Sequence, residues 1–190
     1  MKDIKITNLL EKLSLIGGGN ESFFLLIIVL LSSLIGYLYG EGFRNRLSQL
    51  RELKRALIDF ENDIVYTYTP LPESIESIAL KAKSPIKELF NEISFKLKNN
   101  EVENVYMAFK ESINEHKKEM NLRNKDFEIL LDLSKSLGET NVEGQIKIFN
   151  LAKEKLDIEL EIVEDECNKN TKVYRYLGVA VGAMIAIFLV

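Results

Sequence analysis

The sequence predicts an all-α protein, a six-helix bundle flanked by an N-terminal and a C-terminal transmembrane helix. Two apolar runs without a charge, Phe23–Tyr39 and Leu177–Val190, predict the membrane helices. All but three of the 25 Lys and Arg and all but three of the 29 Asp and Glu lie between these runs, as expected of a domain exposed to water. Apolar residues in that part recur at helical spacing, and no stretch alternates with the period of two that is typical of strands.

The first apolar run is long enough to cross a membrane. As a helix, its 17 residues would extend about 26 Å, near the lower limit for spanning the hydrocarbon core. A cleaved signal peptide is the alternative, but the preceding residues are mixed in charge and no small-x-small cleavage site follows. We therefore predict an uncleaved transmembrane helix at residues 22–40, preceded by an N-terminal extension at residues 1–21.

The second run is shorter and predicts a membrane helix at residues 176–190. Its 14 residues would extend about 21 Å, so a core helix is the alternative. Tyr174 and Tyr176 favour the membrane, because tyrosine is enriched where such helices meet water. Small residues recur every four positions in both runs, which either allows close packing of membrane helices or reflects their general frequency there. This candidate packing set is Ser32, Gly36, Gly40, Gly178, Gly182 and Ala186.

The positions of the basic residues predict how the chain is oriented across the membrane. Five of them follow the first run within residues 44–55, and three precede the second run within residues 169–175. Because cytoplasmic flanks carry the excess of Lys and Arg, residues 41–175 are expected to form a cytoplasmic helical domain, with both termini on the other side of the membrane.

The first helix of this domain is predicted to run from Glu41 to Tyr68, with apolar steps of three and four. The segment Thr69-Pro70-Leu71-Pro72-Glu73-Ser74 should end it, because proline excludes the preceding residue from the helical conformation. A short helix around Ile75–Ala82 follows. The next should start at Ser84-Pro85, with Ser as the cap and Pro at the first helical position.

The remaining helices are predicted from similar signals. One opens at Glu101 and ends at His116, and another runs from Lys125 to Leu137 with Gly138 as its stop. Thr140-Asn141-Val142-Glu143 matches a capping box. It should start a last helix that continues unbroken to Val190.

Residues for catalysis or cofactor binding do not form a recognisable pattern. The net charge of −4 without a basic stripe argues against nucleic acid. The single histidine, His116, and single cysteine, Cys167, provide neither a Cys/His zinc cluster nor a disulfide. Gly17-Gly18-Gly19 lacks the Lys-Ser/Thr of a phosphate loop, and the acidic residues in 159–166 are interpreted as the solvated side of a helix. We expect a scaffold that is not an enzyme and has no cofactor, metal or small-molecule substrate.

Several landmarks occur together in a characteristic order. Tyr66-x-x-Thr69-Pro70-Leu71-Pro72-Glu73 follows the basic helix, Leu137-Gly138 precedes the last helix with Gln145 one turn into it, and Tyr174-Arg175-x-Leu177-Gly178 enters the apolar tail. Over residues 22–190 this arrangement resembles the stage III sporulation protein AB family of endospore-forming bacteria. The first 20 residues precede the point where such proteins usually begin.

The resemblance implies a role and a location. The family belongs to an eight-protein sporulation set that contributes to a channel joining mother cell and forespore. Its cytoplasmic domain resembles the F-type platform protein of type II secretion systems, which contacts a secretion ATPase. The analogous partner here would be stage III sporulation protein AA, with lipid and other membrane components of the channel as further partners, at the mother-cell membrane that forms the outer forespore membrane.

A partner-binding surface is expected at the proline turn, because a fixed backbone loses little entropy on binding. The alternative is that the turn only redirects the chain. The candidate partner-binding residues are Tyr66, Thr69, Pro70, Leu71, Pro72, Glu73, Gln145, Tyr174 and Arg175. A membrane-tethered helical regulator, or a tether that oligomerises through the last helix, is the alternative function.

Overall fold

The computed structural model describes the backbone of residues 3–137 and 141–189, and the side chains of residues 26–137 and 141–188 except 171, 175 and 186. All elements over this range are helical, which confirms the predicted class. They are α1 (Asp3–Glu61), a π-helical turn (Asn62–Tyr66), α2 (Leu71–Lys81), α3 (Ile86–Lys98), α4 (Val105–His116), α5 (Asn124–Ser136) and α6 (Val142–Leu189). The predicted stop at Gly138 and cap at Thr140 lie outside the described residues.

The chain divides into two compact units. The paired-helix unit consists of Met1–Glu41 with Asn168–Val190, and the bundle unit consists of Gly42–Cys167. Helices α1 and α6 contribute residues to both units, whereas α2 to α5 belong to the bundle unit alone.

The paired-helix unit exposes large apolar side chains, among them Leu30, Leu38 and Phe188. Within the helical stretch Leu26–Tyr66, an 18-residue window has a mean hydropathy of 1.7, and 11% of it is buried. In the described part of the chain this is the one helical stretch that is long and apolar enough to cross a membrane. Helix α6 does not meet the same criterion there, so the C-terminal span stays a prediction.

The bundle unit has a core of aromatic and aliphatic side chains drawn from all its helices. Phe60 of α1 meets Phe149 of α6 edge to face, with ring centroids 5.3 Å apart. Phe90 and Phe109 join α3 to α4 in the same way at 6.4 Å. Edge-to-face pairs add to the free energy gained by burying the rings, so these pairs help to fix how the helices pack.

Three helices of the bundle begin later than the sequence pattern predicted. Helix α3 begins at Ile86 after Pro85. The cap of α4 is Asn104, whose Oδ1 accepts from the Met107 N–H at 2.9 Å, and Asn141 caps α6 in the same way through the Gly144 N–H at 3.0 Å. Asparagine is among the preferred N-cap residues because its side-chain oxygen satisfies an otherwise unpaired N–H.

A buried ion-pair network joins three helices of the bundle unit. Arg46 of α1 donates two hydrogen bonds to Asp126 of α5, at 2.9 and 2.8 Å, and one to Glu159 of α6 at 3.0 Å. Arg123 and Lys125 pair with Glu166 and Glu159 at 2.7 and 2.6 Å. The side chains of Arg46 and Asp126 are only 3% and 0% exposed, so the centre of the network is buried, whereas Arg123 and Lys125 at its edge are partly exposed.

The interpretation of residues 159–166 as a solvated face is therefore wrong at one position. Glu159 is largely buried against Arg46, whereas Glu164 remains half exposed. Helical spacing shows which residues share a face, but it does not identify a charged partner on another helix. Burial by itself would lower the pKa of the Arg46 guanidinium, yet hydrogen bonds and opposite charges from Asp126 and Glu159 outweigh it and raise that pKa.

Candidate partner-binding surface

Helix α1 ends earlier than predicted and in an unusual way. The α-helix stops at Glu61, and Asn62–Tyr66 forms a π-helical turn closed by a hydrogen bond from Thr67 N–H to Asn62 C=O at 3.1 Å. The Thr67 hydroxyl also donates to the Asp63 carbonyl at 2.8 Å. π-Helical turns are rare and frequently occur at functional sites, so this segment is a candidate on geometry as well as on sequence.

Two tyrosines at this turn have side chains that are exposed to solvent. Tyr66 is 66% exposed, and Tyr68 is 73% exposed with a left-handed φ of 52°. A left-handed φ at a bulky residue costs on the order of 1–2 kcal/mol. The Thr69 N–H, which donates to the Asp63 carbonyl at 2.8 Å, holds the chain just after Tyr68. The turn thus presents two large rings to solvent on a constrained backbone.

The proline segment has a structural role of its own. The Pro70 carbonyl accepts from the Ser74 N–H at 2.9 Å, and this bond starts α2. The Pro72 carbonyl accepts from the Ser94 hydroxyl of α3 at 3.0 Å. Pro72 is half-buried, whereas Pro70 and Glu73 are exposed. The segment therefore both redirects the chain and leaves side chains available to a partner.

A hollow of about 350 Å³ is lined in part by Tyr68. It brings together three of the predicted residues, Thr69, Leu71 and Gln145, although Gln145 is far away in sequence. The complete lining is Ile64, Tyr68, Thr69, Leu71, Leu137, Asn141, Val142 and Gln145. We call Tyr66, Tyr68 and this hollow the turn surface.

The chemistry of the turn surface suits protein recognition. Its lining combines aliphatic groups with hydroxyl and amide groups, and the tyrosine is the only ionisable group among the lining residues that the structure describes. Such a surface can hold an apolar side chain and bind backbone groups around it. Tyr68 and Val142 are members that the sequence prediction missed, although the position of Tyr68 directly before Thr69-Pro70 could have indicated an exposed ring.

The remaining candidates lie in the paired-helix unit. The Ser32 hydroxyl donates to the Gly178 carbonyl at 2.6 Å. A Cβ on Gly36 would lie 2.5 Å from the Tyr174 carbonyl oxygen and 3.0 Å from the Gly178 Cα, and a Cβ on Gly182 would lie 2.9 Å from a backbone Cα of the first helix. The backbones of α1 and α6 therefore touch within this unit, which only small residues permit.

Other members of the predicted sets are placed differently. Gly40 is buried. The ring of Tyr174 stacks on Tyr39 with centroids 5.8 Å apart, so the structure places Tyr174 in the paired-helix unit and not with the turn surface. The side chains of Arg175 and Ala186 lie outside the described residues.

Comparisons with known proteins agree on one family. The model of the family "Stage III sporulation protein AB" matches residues 22–190. A relative of that name from Bacillus subtilis (strain 168) is 26% identical over 154 residues, which cover 81% of this chain and 90% of the relative. A solved structure of a stage III sporulation protein AB aligns with a TM-score of 0.61 and 26% identity over 65% of this chain and 96% of its own. The chain therefore belongs to the stage III sporulation protein AB family.

Proposed function

We propose that this sporulation protein is a non-enzymatic membrane platform of the channel between mother cell and forespore, and that it docks a secretion-type ATPase. The turn surface carries the proposal, since it presents two exposed tyrosines and a hollow whose described lining residues carry no charge. Buried tyrosines are common anchors of protein interfaces. By the resemblance described above, the docked ATPase is stage III sporulation protein AA.

The proposed location follows from the two apolar ends of the chain. The stretch within Leu26–Tyr66 that is apolar enough to span a membrane supports an anchor near the N-terminus. The second span, the contacts with lipid and other channel components, and the cytoplasmic position of the bundle unit are parts of the same proposal. The proposed membrane is the mother-cell membrane that surrounds the forespore, as the family resemblance implies.

The orientation can be tested through the native cysteine, Cys167, which is partly exposed. A membrane-impermeant maleimide should not label it in intact sporulating cells but should label it after permeabilisation. In a Cys167→Ser background, Ser14→Cys at the opposite predicted side should already be labelled in intact cells. Labelling of Cys167 in intact cells would overturn the proposed orientation.

Docking can be tested with the full chain in lipid nanodiscs and the ATPase from the same genome, by calorimetry with ATP turnover followed in parallel. Tyr68→Ala should weaken binding by about 30-fold or more, because loss of a hot-spot aromatic typically costs about 2 kcal/mol or more. Leu80→Ala is a matched control, since Leu80 is 74% exposed on α2 but is not part of the turn surface.

Variants of the proline segment can distinguish a role in binding from a role in the fold. Replacing Pro70 and Pro72 with Ala should weaken ATPase binding while the helix content measured by circular dichroism stays the same. Equal loss of helix content and binding would show that the segment is needed for the fold and not specifically for binding. If the intact wild-type chain neither binds the ATPase nor changes its turnover, the docking proposal fails.

One observation favours the tether as a second candidate function. On the outer side of α6, Leu151, Ile158 and Ile162 are exposed at spacings of seven and four residues, which places them on one face. An apolar face of this kind can pack against a second copy. Light scattering of the full chain in detergent should then show a dimer that becomes a monomer on Ile158→Glu, whereas a monomer at all concentrations would exclude this function.

A further inference from the structure

We propose that the turn surface binds a basic segment of a protein partner, in which an apolar side chain that enters the hollow is flanked by arginine. This names the chemistry of the partner, and it rests on the proposed function only in taking the turn surface as a protein-binding site. The lining of the hollow, the charges around it and the two exposed tyrosine rings each limit what can bind there.

The hollow suits an apolar anchor. Its volume is about 350 Å³, at the lower end of the range of about 300–1,000 Å³ found for ligand pockets. Aliphatic side chains of Ile64, Leu71 and Val142 lie in its lining. An apolar side chain of the partner that packs against them is removed from water, which stabilises the complex.

The chain around the hollow has an excess of acidic residues. All described lining residues lie in two stretches, residues 56–80 and 136–147. These stretches contain seven Asp and Glu, no Arg and a single Lys, Lys147. Two of the acids, Glu73 and Glu143, are exposed and form no ion pair in the described part of the chain.

These acids are close enough to act on a ligand in the hollow. Glu143 directly follows the lining residue Val142, and Glu73 is two residues from the lining residue Leu71. Neighbouring Cα atoms are 3.80 Å apart, whereas the Debye length at physiological ionic strength is about 8 Å. The charges therefore attract a basic segment and are available to pair with it.

The exposed rings favour arginine as the basic group. Tyr66 and Tyr68 are both largely exposed, so a guanidinium can reach them. Arginine stacks on aromatic rings and has a planar fork of N–H donors that matches a carboxylate. Lysine has a compact and strongly hydrated charge instead. Arginine can therefore use both the rings and the acids.

The same charges disfavour other occupants. Nucleic acid and an anionic membrane surface would be repelled by the excess of acids. A second copy of the turn surface would bring Glu73 and Glu143 towards acids of the same kind, which is unfavourable. A segment without charge would use the hollow but leave the acids unpaired, and the test includes it.

The test uses the full chain in nanodiscs of phosphatidylcholine, which lack the anionic lipids that attract basic peptides. The probe is a fluorescent peptide in which one leucine is flanked by two arginines on each side, and its binding is followed by fluorescence anisotropy. Replacing the leucine with alanine, or the arginines with serine, should weaken binding by about threefold or more. Raising the ionic strength from about 0.1 M to about 1 M should also weaken it, because the Debye length falls from about 10 Å to about 3 Å.

Variants of the chain locate the peptide. Glu73→Gln combined with Glu143→Gln should weaken binding by about threefold to tenfold, as expected for the loss of two exposed charge pairs. Glu101→Gln combined with Glu154→Gln removes the same charge at exposed residues outside the turn surface and should leave binding unchanged. Tyr68→Ala should weaken binding of the arginine peptide more than that of a lysine peptide of the same length.

Two results would overturn the proposal. One is the absence of saturable binding of the arginine peptide up to about 1 mM. The other is equal binding of the arginine and serine peptides, or equal binding by the two pairs of glutamate variants.

The same variants distinguish this proposal from ATPase docking. ATPase binding that depends on Tyr68 but not on Glu73, Glu143 or salt would support docking and refute the basic segment. Binding of the arginine peptide at the turn surface, with no binding of the ATPase, would support the basic segment and refute docking.

Discussion

Helices α1 and α6 pack against each other by different means in the two units. In the paired-helix unit their backbones touch at Gly36, Gly178 and Gly182, and large apolar side chains point outwards. In the bundle unit the same helices meet through Phe60 and Phe149 and through the ion pair of Arg46 with Glu159. Removing large apolar side chains from water stabilises a fold, whereas helices in lipid are stabilised by close van der Waals contact. The contrast agrees with the proposed membrane location of the paired-helix unit.

The largest expected effect is on the stability of the bundle unit, and it should differ between a buried and an exposed charged residue. Arg46→Ala should lower the free energy of unfolding by about 3–5 kcal/mol, because it leaves Asp126 buried without its charged partner. Chemical denaturation of the full chain in detergent, followed by near-ultraviolet circular dichroism, measures this change. Arg51→Ala is the matched control. Arg51 pairs with Glu164 but is 60% exposed, so its loss should cost less than about 1 kcal/mol.

A charge-neutral double variant sharpens this result. Asp126→Asn keeps an oxygen for the Arg123 N–H, which donates to Asp126 at 2.7 Å, but removes the buried charge. Combined with Arg46→Met it should recover part of the stability lost in Arg46→Ala, since the penalty comes mainly from an unpaired buried charge. Equal costs for Arg46→Ala and Arg51→Ala would contradict this explanation.

An intermediate effect is expected in the paired-helix unit. Gly36→Ala should cost about 1–3 kcal/mol, as overpacking does elsewhere, because its Cβ would meet backbone atoms of α6 that cannot rotate away. Spin labels at Leu34 and Val179, in a Cys167→Ser background, should report a longer distance between the helices. Gly42→Ala is the control, since the nearest atom to its Cβ would be Asn121 Oδ1 at 3.8 Å. An unchanged distance between the spin labels in Gly36→Ala would mean that the packing of the two helices does not require a glycine at this position.

The smallest effect concerns an exposed ion pair. Hydrogen bonds from Lys155 and then Lys135 lower the pKa of Asp132 below its usual 3.8. This lowered pKa contributes stability that is present above pH 3.8 and is lost as the pH falls through the folded-state pKa. The Asp132 side chain is 52% exposed, so Asp132→Asn should cost under about 1 kcal/mol at pH 7. Acid unfolding curves of the two proteins should converge at low pH. A difference in the free energy of unfolding above about 1 kcal/mol at pH 7 would show that the exposure of Asp132 does not predict the strength of its ion pairs.

The sequence predicted much of the fold because its signals are local. Helical spacing and the prolines located the elements, and the repeated small residues pointed to Gly36 and Gly178, which the structure brings into contact. The pairing of Arg46 with Asp126 was not predictable, because 80 residues separate them and periodicity does not indicate which helix faces which. The π-helical turn was missed for a related reason: Ile64 and Tyr68 continue the helical spacing, while hydrogen bonds to Asp63 end the helix.

The turn surface was predictable only in part. The proline segment drew attention to Thr69 and Leu71, but Val142 joins them through the packing of α6 beside α1. Tyr68 is exposed and has a left-handed backbone, and no pattern of apolar residues encodes that conformation. Gln145 was among the predicted residues because it belongs to the landmarks of the family resemblance, and not because its proximity to the turn could be derived from the sequence.

The ion pairs of Arg46 also set an order for folding during synthesis. Its partners Asp126 and Glu159 are made 80 and 113 residues after it. At about 5–20 residues per second, the ribosome needs roughly 6–23 s to reach Glu159. During that time Arg46 has to stay hydrated and α1 cannot complete its packing in the bundle. The nascent chain is then vulnerable to aggregation and proteolysis, and an apolar segment held early by the membrane would shorten the part of the chain left exposed.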